Sequence, residues 1–285
     1  MFIIKRVSHL QQWVSQKRAE GFTIGFIPTM GALHKGHLSL VQKSKSETQV
    51  TMVSIFVNPK QFNDPDDLIK YPRPVEKDVE LLYNHGVDML FLPEVDDIYP
   101  PGVSTSIDFD AGVAAETMEG KFRPGHFDGM AEVVHRLLRI TMPDKLFMGQ
   151  KDFQQFSIIR KLIDDFKLPV QLVMCPTVRE ENGLAMSSRN ERLDPEVRKK
   201  AGLIYQLLSE GKTHFESGTP AGEIRKKFFE SLEKEGFRPE YFEVVDGYTL
   251  LPVDSPDIAQ QVVACCAVYA NDVRLIDNLI WKKES

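Results

Sequence analysis

Two histidines three residues apart are the first candidates for chemistry in this chain. His34 and His37 flank Gly36, in the turn that follows the apolar residues 24–27 and precedes an amphipathic pattern. A turn from a strand of a parallel sheet into a helix is where α/β proteins bind ligands, and N–H groups at a helix start attract phosphate. We expect both imidazoles to face one anion, with Gly36 letting a nucleotide come close. Two surface histidines on an ordinary turn are the alternative.

The charge state of these imidazoles depends on two opposing fields. The dipole of the following helix disfavours a charged histidine by about 0.3–1 kcal/mol. A phosphate charge at about 4 Å favours it by about 4 kcal/mol at an effective dielectric constant of ~20. We therefore predict that His34 or His37 gains a proton when a nucleotide binds.

Neutral amides mark a second group of candidates. Asn58 and Gln61 follow the nearly all-apolar residues 50–57, and Gln155 lies one turn into a later helix. Amides donate hydrogen bonds to a carboxylate or hydroxyl group without forming an ion pair, so a bound carboxylate stays nucleophilic. The sequence predicts that these three amides bind a small acid. Turn capping is the alternative for Asn58.

Polar residues also follow a buried strand at residues 146–148. Gly149 permits close contact with a ribose, and Asp152 can accept hydrogen bonds from ribose hydroxyl groups. Lys151 suits a phosphate as a point charge. Five polar residues within residues 150–155 are hard to explain by packing alone.

Two further segments carry candidate anion ligands. Ser187, Ser188 and Arg189 combine hydroxyl groups with a fixed cation and suit a mobile phosphate clamp. Capping of the next helix is the alternative there, but Asp194 before a proline fits that role better. For Arg123 and His126, contact with an anion and simple shaping of a loop both stay open.

Alternating strands and helices are expected to position these residues. Strands are predicted at residues 23–27, 50–57, 89–92, 146–148 and 170–174. Helices are predicted from Ser8 as a cap to Gly21, and at residues 36–47, 74–84, 127–140 and 152–166. This alternation indicates a Rossmann-like parallel sheet with helices on both faces.

The last hundred residues follow another pattern. Helices at residues 195–209 and 221–235 precede strands at 241–245, 262–269 and 273–278, which indicates a smaller α+β unit. The predicted domains are residues 1–176, which bind the nucleotide and the acid, and residues 177–285, which form a lid.

Composition excludes several classes of protein. The 285 residues carry a net charge of −6, whereas nucleic-acid-binding proteins usually show a basic excess. The longest apolar run, residues 262–270, is about half of a membrane span. We find no signal peptide and expect a cytoplasmic protein. Cys175, Cys265 and Cys266 match neither a disulfide framework nor a zinc site, so we expect them to be buried.

The motifs together resemble one known family, the pantothenate synthetases or pantoate–β-alanine ligases. They are PTMGALHKGH at 28–37, FVNPKQF at 56–62, YPR at 71–73, RPGHF at 123–127, GQKD at 149–152 and MSSRN at 186–190. The match runs in order over about residues 22–190. The resemblance implies the nucleotidyltransferase fold shared with class I aminoacyl-tRNA synthetases.

The resemblance also implies an activity and its partners. The family condenses (R)-pantoate with β-alanine through a pantoyl adenylate, consumes ATP, and releases AMP and pyrophosphate. It uses Mg²⁺ and is usually a homodimer. The net charge and the length of the apolar runs in this chain predict no nucleic-acid or membrane partner.

Residue roles carry over from the family onto matching positions. Gln61 and Gln155 would bind pantoate, Gln61 would also serve β-alanine, and His37 is the family's proton donor. With His34, Lys151 and Arg189, His37 forms the expected catalytic set. Lys35 and Gln150 stand where the family often has glutamate, and their side chains can point away from the ligand. The expected ATP-binding residues are Met30, Gly31, Ala32, Leu33, His34, Lys35, Gly36, His37, Gly149, Gln150, Lys151, Asp152, Val178, Met186, Ser187, Ser188 and Arg189.

Other functions stay possible from the motifs alone. A nucleotidyltransferase for a phosphorylated alcohol would share the histidines but lack the paired Gln61 and Gln155. A tRNA-charging enzyme would need an anticodon-binding module and a basic surface. A silent nucleotide sensor would be expected to lose at least one residue of the catalytic set His34, His37, Lys151 and Arg189, and all are present.

Overall fold

Within the residues that the computed structural model describes, 1–62 and 65–282, six strands form a parallel sheet. The strands are β1 Phe2–Ile4, β2 Ile24–Thr29, β3 Val50–Ile55, β4 Met89–Phe91, β5 Lys145–Gly149 and β6 Gln171–Cys175. Their order across the sheet is β1-β4-β3-β2-β5-β6, and each neighbouring pair is parallel. The predicted Rossmann-like α/β fold is confirmed.

Helices cover both faces of this sheet. The described α-helices between β1 and β6 are α1 Val7–Ala19, α2 Lys35–Glu47, α3 Pro65–Lys70, α4 Val75–Asn84, α5 Val95–Ile98, α6 Val113–Glu116, α7 Met118–Phe122, α8 His126–Thr141 and α9 Phe153–Asp165. Successive strand residues point to opposite faces. Phe26 accordingly packs in one apolar cluster with α1, α8 and α9, whereas Ile27 packs in another with α2 and α4.

The direction of the chain reverses between β2 and β5. Moving outward from β2, the chain visits β3 and β4 on one side and β5 and β6 on the other. Such a reversal opens a crevice at the carboxyl ends of the strands, where open α/β sheets bind ligands. The turns after β2, β3 and β5 therefore meet at this crevice.

A smaller sheet follows in the described part of the chain, with three antiparallel strands in the order β7-β8-β9. The strands are β7 Arg238–Asp246, β8 Val262–Ala270 and β9 Val273–Lys282, and the helices are α10 Pro195–Lys200, α11 Leu203–Glu216 and α12 Ala221–Lys234. They enclose their own apolar core. The α+β character of this part is confirmed, whereas the division at residue 176 stays a prediction.

Three details differ from the sequence-based expectations. The sequence pattern gives no sign of the N-terminal strand β1, because this strand has only three residues. Ser8 does not cap α1, which begins at Val7 with Arg6 in the cap position. The helix expected at residues 195–209 is divided into α10 and α11. The side chain of Asn182 donates to the carbonyl groups of Arg198 and Lys199 and thereby closes the end of α10.

Two simpler expectations hold. Asp194 caps α10 by accepting from the Glu196 N–H, as the following proline indicated. Cys175, Cys265 and Cys266 are all buried. Among the described residues, no helix is long and apolar enough to cross a membrane.

The contact between β2 and α2 yields a test of this architecture. Gly25 in β2 faces α2, and a Cβ atom there would overlap Ser44 and lie 2.7 Å from Thr48 Oγ1. The substitution Gly25→Ala should therefore lower the free energy of unfolding by about 1–3 kcal/mol, as measured by urea denaturation.

Gly222 provides the matched control for that substitution. It lies in α12, and a Cβ atom there would meet nothing within 4 Å. Gly222→Ala should leave stability unchanged or raise it by up to ~1 kcal/mol. Equal effects of the two substitutions would contradict the proposed packing of α2 on β2.

Candidate active site

A cavity of about 270 Å³ lies at the carboxyl ends of β2, β3 and β5. Most of the residues that the sequence singled out line it, and they come from segments far apart in the chain. They are Met30, His34, Gly36, His37, Asn58, Gln61, Arg123, His126, Gly149, Lys151, Asp152, Gln155, Val178, Met186, Ser187, Ser188 and Arg189. The sheet thus brings together both histidines, the amides and the cations that the motifs predicted.

The turn after β2 has a strained backbone that one buried carboxylate holds in place. Gly31 and Ala32 have φ values of +81° and +50°, and the latter is unusual for a residue with a side chain. The carboxylate of Asp78, on α4, accepts from the N–H groups of Ala32 and Leu33, each at 2.8 Å. Burial raises the pKa of Asp78, and these two N–H groups oppose that rise. The sequence motifs gave no indication of Asp78.

His34 and His37 are oriented by the backbone of α2. The Gly36 N–H donates to Nδ1 of His34 at 3.1 Å, and the His34 N–H donates to Nδ1 of His37 at 3.3 Å. Since both Nδ1 atoms accept hydrogen bonds, each neutral ring carries its proton on Nε2. The ring centroids are 4.2 Å apart. The pair therefore offers two Nε2–H donors at the cavity.

This arrangement changes what we expect of the charge on His37. Burial, the neighbouring His34 and Lys151 lower the pKa of His37 to about 3. At pH 7 such a pKa opposes protonation by about 5 kcal/mol, against the about 4 kcal/mol that a phosphate offers. Protonation would also break a hydrogen bond worth about 1 kcal/mol. We now expect neutral donors, although proton gain on nucleotide binding is untested.

The role expected of Gly36 also changes. A Cβ atom at Gly36 would lie 2.8 Å from Cε1 of His34, so the glycine makes room for the imidazole. The Gly36 N–H is occupied by His34, and the N–H groups of His37 and Leu38 donate to the His34 carbonyl. These backbone groups are therefore engaged within the chain. The Nε2–H groups of the imidazoles, rather than the N–H groups at the start of α2, are therefore the donors that face the cavity.

Asn58 holds Gln61 rather than offering free groups to a ligand. Its Nδ2 donates to Gln61 Oε1 and to the Gly129 carbonyl, at 3.1 and 3.0 Å. Its Oδ1 accepts from Lys60 N–H and from the hydroxyl group of Tyr99. Asn58 was predicted to bind substrate, but these contacts use its hydrogen-bonding capacity and support the capping alternative. The bond from Asn58 also orients the Gln61 amide, because it occupies Oε1. The Nε2 of Gln61, which lies 3.1 Å from Met30 Sδ, is then the group that can donate to a ligand.

His126 supports the same glutamine from behind. Its Nδ1 donates to the Gln61 carbonyl at 2.8 Å, and its Nε2 lies 3.2 Å from Arg123 and accepts from it. Burial, followed by the charge of Arg123, lowers the pKa of His126 to about 4. His126 therefore shapes the loop as a neutral residue, while both it and Arg123 reach the cavity wall.

The segment after β5 supplies a cation and a carboxylate. Lys151 Nζ lies 4.0 Å from a carboxylate oxygen of Asp152, and the charge of Lys151 lowers the pKa of both His34 and His37. Gly149 lines the cavity, and a Cβ atom there would meet nothing within 4 Å. In contrast to Gly36, this glycine leaves space on the ligand side.

The segment of the expected phosphate clamp forms a short turn at the cavity rim. Ser187 accepts from the Arg189 N–H at 3.3 Å and so caps a 3₁₀ turn that spans Ser188–Arg192. The Met186 N–H donates to the Val178 carbonyl, which ties the segment to the rim on the other side. Ser187 thus has the capping role given as the alternative, while Ser188 and Arg189 line the cavity.

Other predicted ATP-binding residues do not line this cavity. They are Gly31, Ala32, Leu33, Lys35 and Gln150. Gly31–Leu33 form the turn held by Asp78, and Leu33 packs in the core. Lys35 is exposed. The side chain of Gln150 donates to Oδ1 of Asn278 at 3.2 Å, so it points toward β9.

Comparison with known proteins shows the family to which this chain belongs. A family profile described as pantoate–β-alanine ligase matches residues 2–280. The chain belongs to the pantoate–β-alanine ligase family. A relative in Porphyromonas gingivalis, a pantothenate synthetase, is 45% identical over 283 residues, which cover 99% of this chain and 100% of the relative. A pantothenate synthetase of Bacteroides thetaiotaomicron is 44% identical over 284 residues, with coverage of 99% and 100%.

Solved structures of this ligase family have the same fold. A pantothenate synthetase of Thermus thermophilus superposes with a TM-score of 0.91 at 39% identity, covering 99% of this chain and 100% of that one. A pantoate–β-alanine ligase of Francisella tularensis, complexed with β,γ ATP and β-alanine, has a TM-score of 0.79 at 37% identity, with coverage of 99% and 98%. Membership confirms the predicted enzyme, a ligase that forms pantothenate.

The buried histidine His126 makes the stability of this ligase depend on pH. Its pKa is about 4 in the folded protein and ~6.5 in an unfolded chain. A lowered folded-state pKa contributes stability that is present above pH ~6.5 and is lost as the pH falls toward 4. Between pH 7 and pH 5, His126 should account for a loss of about 2 kcal/mol in the free energy of unfolding.

Urea denaturation at the two pH values measures this contribution. His126→Asn should lose about 2 kcal/mol less than the wild type on acidification, because asparagine does not titrate. His9→Asn, at an exposed position on α1, serves as the control and should follow the wild type. An equal loss in the wild type and His126→Asn would refute the assignment of a buried neutral imidazole.

Proposed function

We propose that this ligase uses ATP to convert the carboxylate of (R)-pantoate into an acyl adenylate, and then transfers the acyl group to β-alanine. The observation that carries this proposal is the set of side chains that line the cavity. Lys151, Arg189 and the two imidazoles line it together with the amides of Gln61 and Gln155. Cations suit a triphosphate, and neutral amides suit a carboxylate that must remain nucleophilic.

In the first step, a carboxylate oxygen of pantoate attacks the α-phosphorus of ATP. The bond from that phosphorus to the bridging oxygen breaks, and pyrophosphate leaves with the electron pair. Two anions must approach each other, and negative charge builds on the leaving group. Lys151, Arg189 and the Nε2–H groups of His34 and His37 would offset this charge, most strongly in the transition state.

In the second step, the amine of β-alanine attacks the acyl carbon. A C–N bond forms, the C–O bond to AMP breaks with the electron pair going to the AMP phosphate, and the proton of the amine passes to that phosphate or to water. The family resemblance assigns the donor role to His37, and its neutral ring would fill this role by donating a hydrogen bond through Nε2–H while keeping the proton. Cys175, Cys265 and Cys266 are buried and do not line the cavity, in keeping with direct transfer without a covalent enzyme intermediate.

Substrate positions follow from the hydrogen-bonding groups left available. Gln61 would donate through Nε2 to pantoate and serve β-alanine as well, and Gln155 would bind pantoate from α9. Gly149 and Asp152 would meet the ribose of ATP. Val178 would contact the adenine through its backbone, while Met186, Ser187, Ser188 and Arg189 would close over the phosphates.

Mg²⁺ would enter as part of the ATP substrate, and its charge would add to that of the cations in the first step. We further propose a homodimer in the cytoplasm, as the family resemblance implies. The proposed division places the nucleotide- and pantoate-binding domain at residues 1–176 and the lid domain at 177–285. Closure of the lid would keep water from the adenylate.

The adenylate mechanism predicts a partial reaction. Without β-alanine, the enzyme should exchange labelled pyrophosphate into ATP only when pantoate is present. Lys151→Ala should lower the exchange rate by about 10²-fold or more, because a cation near the leaving pyrophosphate is lost. Lys161→Ala removes an exposed lysine of α9 that pairs with Asp165 and should retain the wild-type rate.

Two results would contradict this account. Exchange that proceeds equally well without pantoate would show that no pantoyl adenylate forms. A normal rate in Lys151→Ala would remove this lysine from the catalytic set, while leaving the overall reaction in place.

A further inference from the structure

The last strand of the protein reaches across to the segment that carries Lys151. Asn278 lies on β9, in the smaller sheet, and is 2% exposed. Its Nδ2 donates to the carbonyl groups of Gln150 and Lys151, at 2.9 and 2.8 Å. Its Oδ1 accepts from the side chain of Gln150 at 3.2 Å. One side-chain amide therefore binds the backbone of two consecutive residues beside the cavity.

Asn278 is itself held firmly. Its own N–H donates to the carboxylate of Asp277 at 2.7 Å. That carboxylate binds the guanidinium group of Arg179 through two contacts of 2.6 and 3.0 Å. Arg179 also donates to the Asn278 carbonyl at 3.3 Å and stacks on the ring of Tyr205. The backbone of Asn278 is thus held in place by several hydrogen bonds. Its side-chain amide therefore restrains the positions of the two carbonyl groups that it binds.

The segment after β5 receives little support from its own residues. The 3₁₀ turn Gln150–Asp152 begins after Gly149, which has no side chain to cap it. Asp152 occupies the cap position of α9, yet its side chain accepts no capping hydrogen bond there. Asn278 satisfies two carbonyl groups of this turn from outside and thereby limits the orientations of its peptide planes.

The orientation of this backbone determines where Lys151 points. The carbonyl groups of Gln150 and Lys151 belong to the two peptide planes that flank the Lys151 Cα atom, so fixing both planes fixes the direction of the Cα–Cβ bond. The side chain of Lys151 is only 19% exposed and lines the cavity. A long lysine has many rotamers, and a misplacement of about 1 Å at a reacting group can cost ~10²-fold in rate.

We propose that Asn278 is a positioning residue that holds the Lys151 ammonium group at the phosphates of ATP. It acts from the smaller sheet through two backbone carbonyl groups and touches no substrate. This inference rests on the proposed function, because it assigns Lys151 to the adenylation step.

A double-mutant cycle on pyrophosphate exchange tests the proposal. Asn278→Ala should lower kcat/KM for ATP by about 10-fold or more, while the pantoate concentration for half-maximal rate changes less than about twofold. In a Lys151→Ala background, the same substitution should lower the rate by less than about twofold, because its effect passes through the missing ammonium group.

Asn182→Ala provides the matched control. This asparagine also donates from Nδ2 to two consecutive carbonyl groups, those of Arg198 and Lys199, but at the end of α10. Its loss removes the same kind of bonds and should leave kcat/KM for ATP near the wild-type value. Asn278→Asp keeps the size of the side chain but turns two donors into acceptors, and it should behave like Asn278→Ala.

Several outcomes would overturn the proposal. They are a normal rate in Asn278→Ala and Asn278→Asp, an equal loss in Asn182→Ala, or a full loss from Asn278→Ala in the Lys151→Ala background. If neither Asn278 variant folds, a crystal structure of the wild type with a non-hydrolysable ATP analogue tests the proposal instead. The proposal requires the Asn278 bonds to persist while Lys151 contacts phosphate, and it fails if they are broken. Failure of the proposed function gives a different result from failure of this proposal, because the wild type itself would then show no pantoate-dependent exchange.

Discussion

The hydrogen bonds from the Ala32 and Leu33 N–H groups to Asp78 are the interaction on which this site depends. Burying a carboxylate is costly, and a positive φ at Ala32 adds roughly 1–3 kcal/mol of strain. Two charge-assisted hydrogen bonds of 2.8 Å, worth about 1.5–3 kcal/mol each, offset these costs. The turn then delivers His34 to the start of α2, where the backbone orients both imidazoles toward the cavity.

A similar principle governs the other side of the cavity. Residues whose hydrogen-bonding groups are engaged within the protein hold the residues that face the cavity. Asn58 and His126 fix Gln61, and the buried pair Arg179–Asp277 supports Asn278 behind Lys151. Arg274 on β9 also binds Glu119 of α7 through two contacts of 2.8 and 2.7 Å. These contacts mean that any closing movement of the smaller part must carry the segment after β5 with it or break several buried bonds.

Much of this arrangement could be predicted from the sequence, and the reasons for success and failure are physical. Apolar runs such as residues 50–55 indicate buried strands, and polar residues at their ends must meet because parallel strands end at one edge of the sheet. Hydrogen-bond partners that are distant in the sequence could not be predicted from such patterns. Asp78 is 46 residues from Ala32, and only the packing of α4 shows that its carboxylate reaches the turn. Gly36 was assigned to nucleotide approach because sequence spacing does not show that the His34 ring occupies that space.

The protonation state of His34 and His37 in the nucleotide complex tests the account most directly. Nitrogen-15 NMR of both rings, with a non-hydrolysable ATP analogue and pantoate bound at pH 7, distinguishes the neutral tautomers from the charged ring. The account predicts that both rings stay neutral, with the proton on Nε2 and Nδ1 accepting from the backbone. A doubly protonated ring at either position would contradict it, because the backbone N–H would then have lost its acceptor.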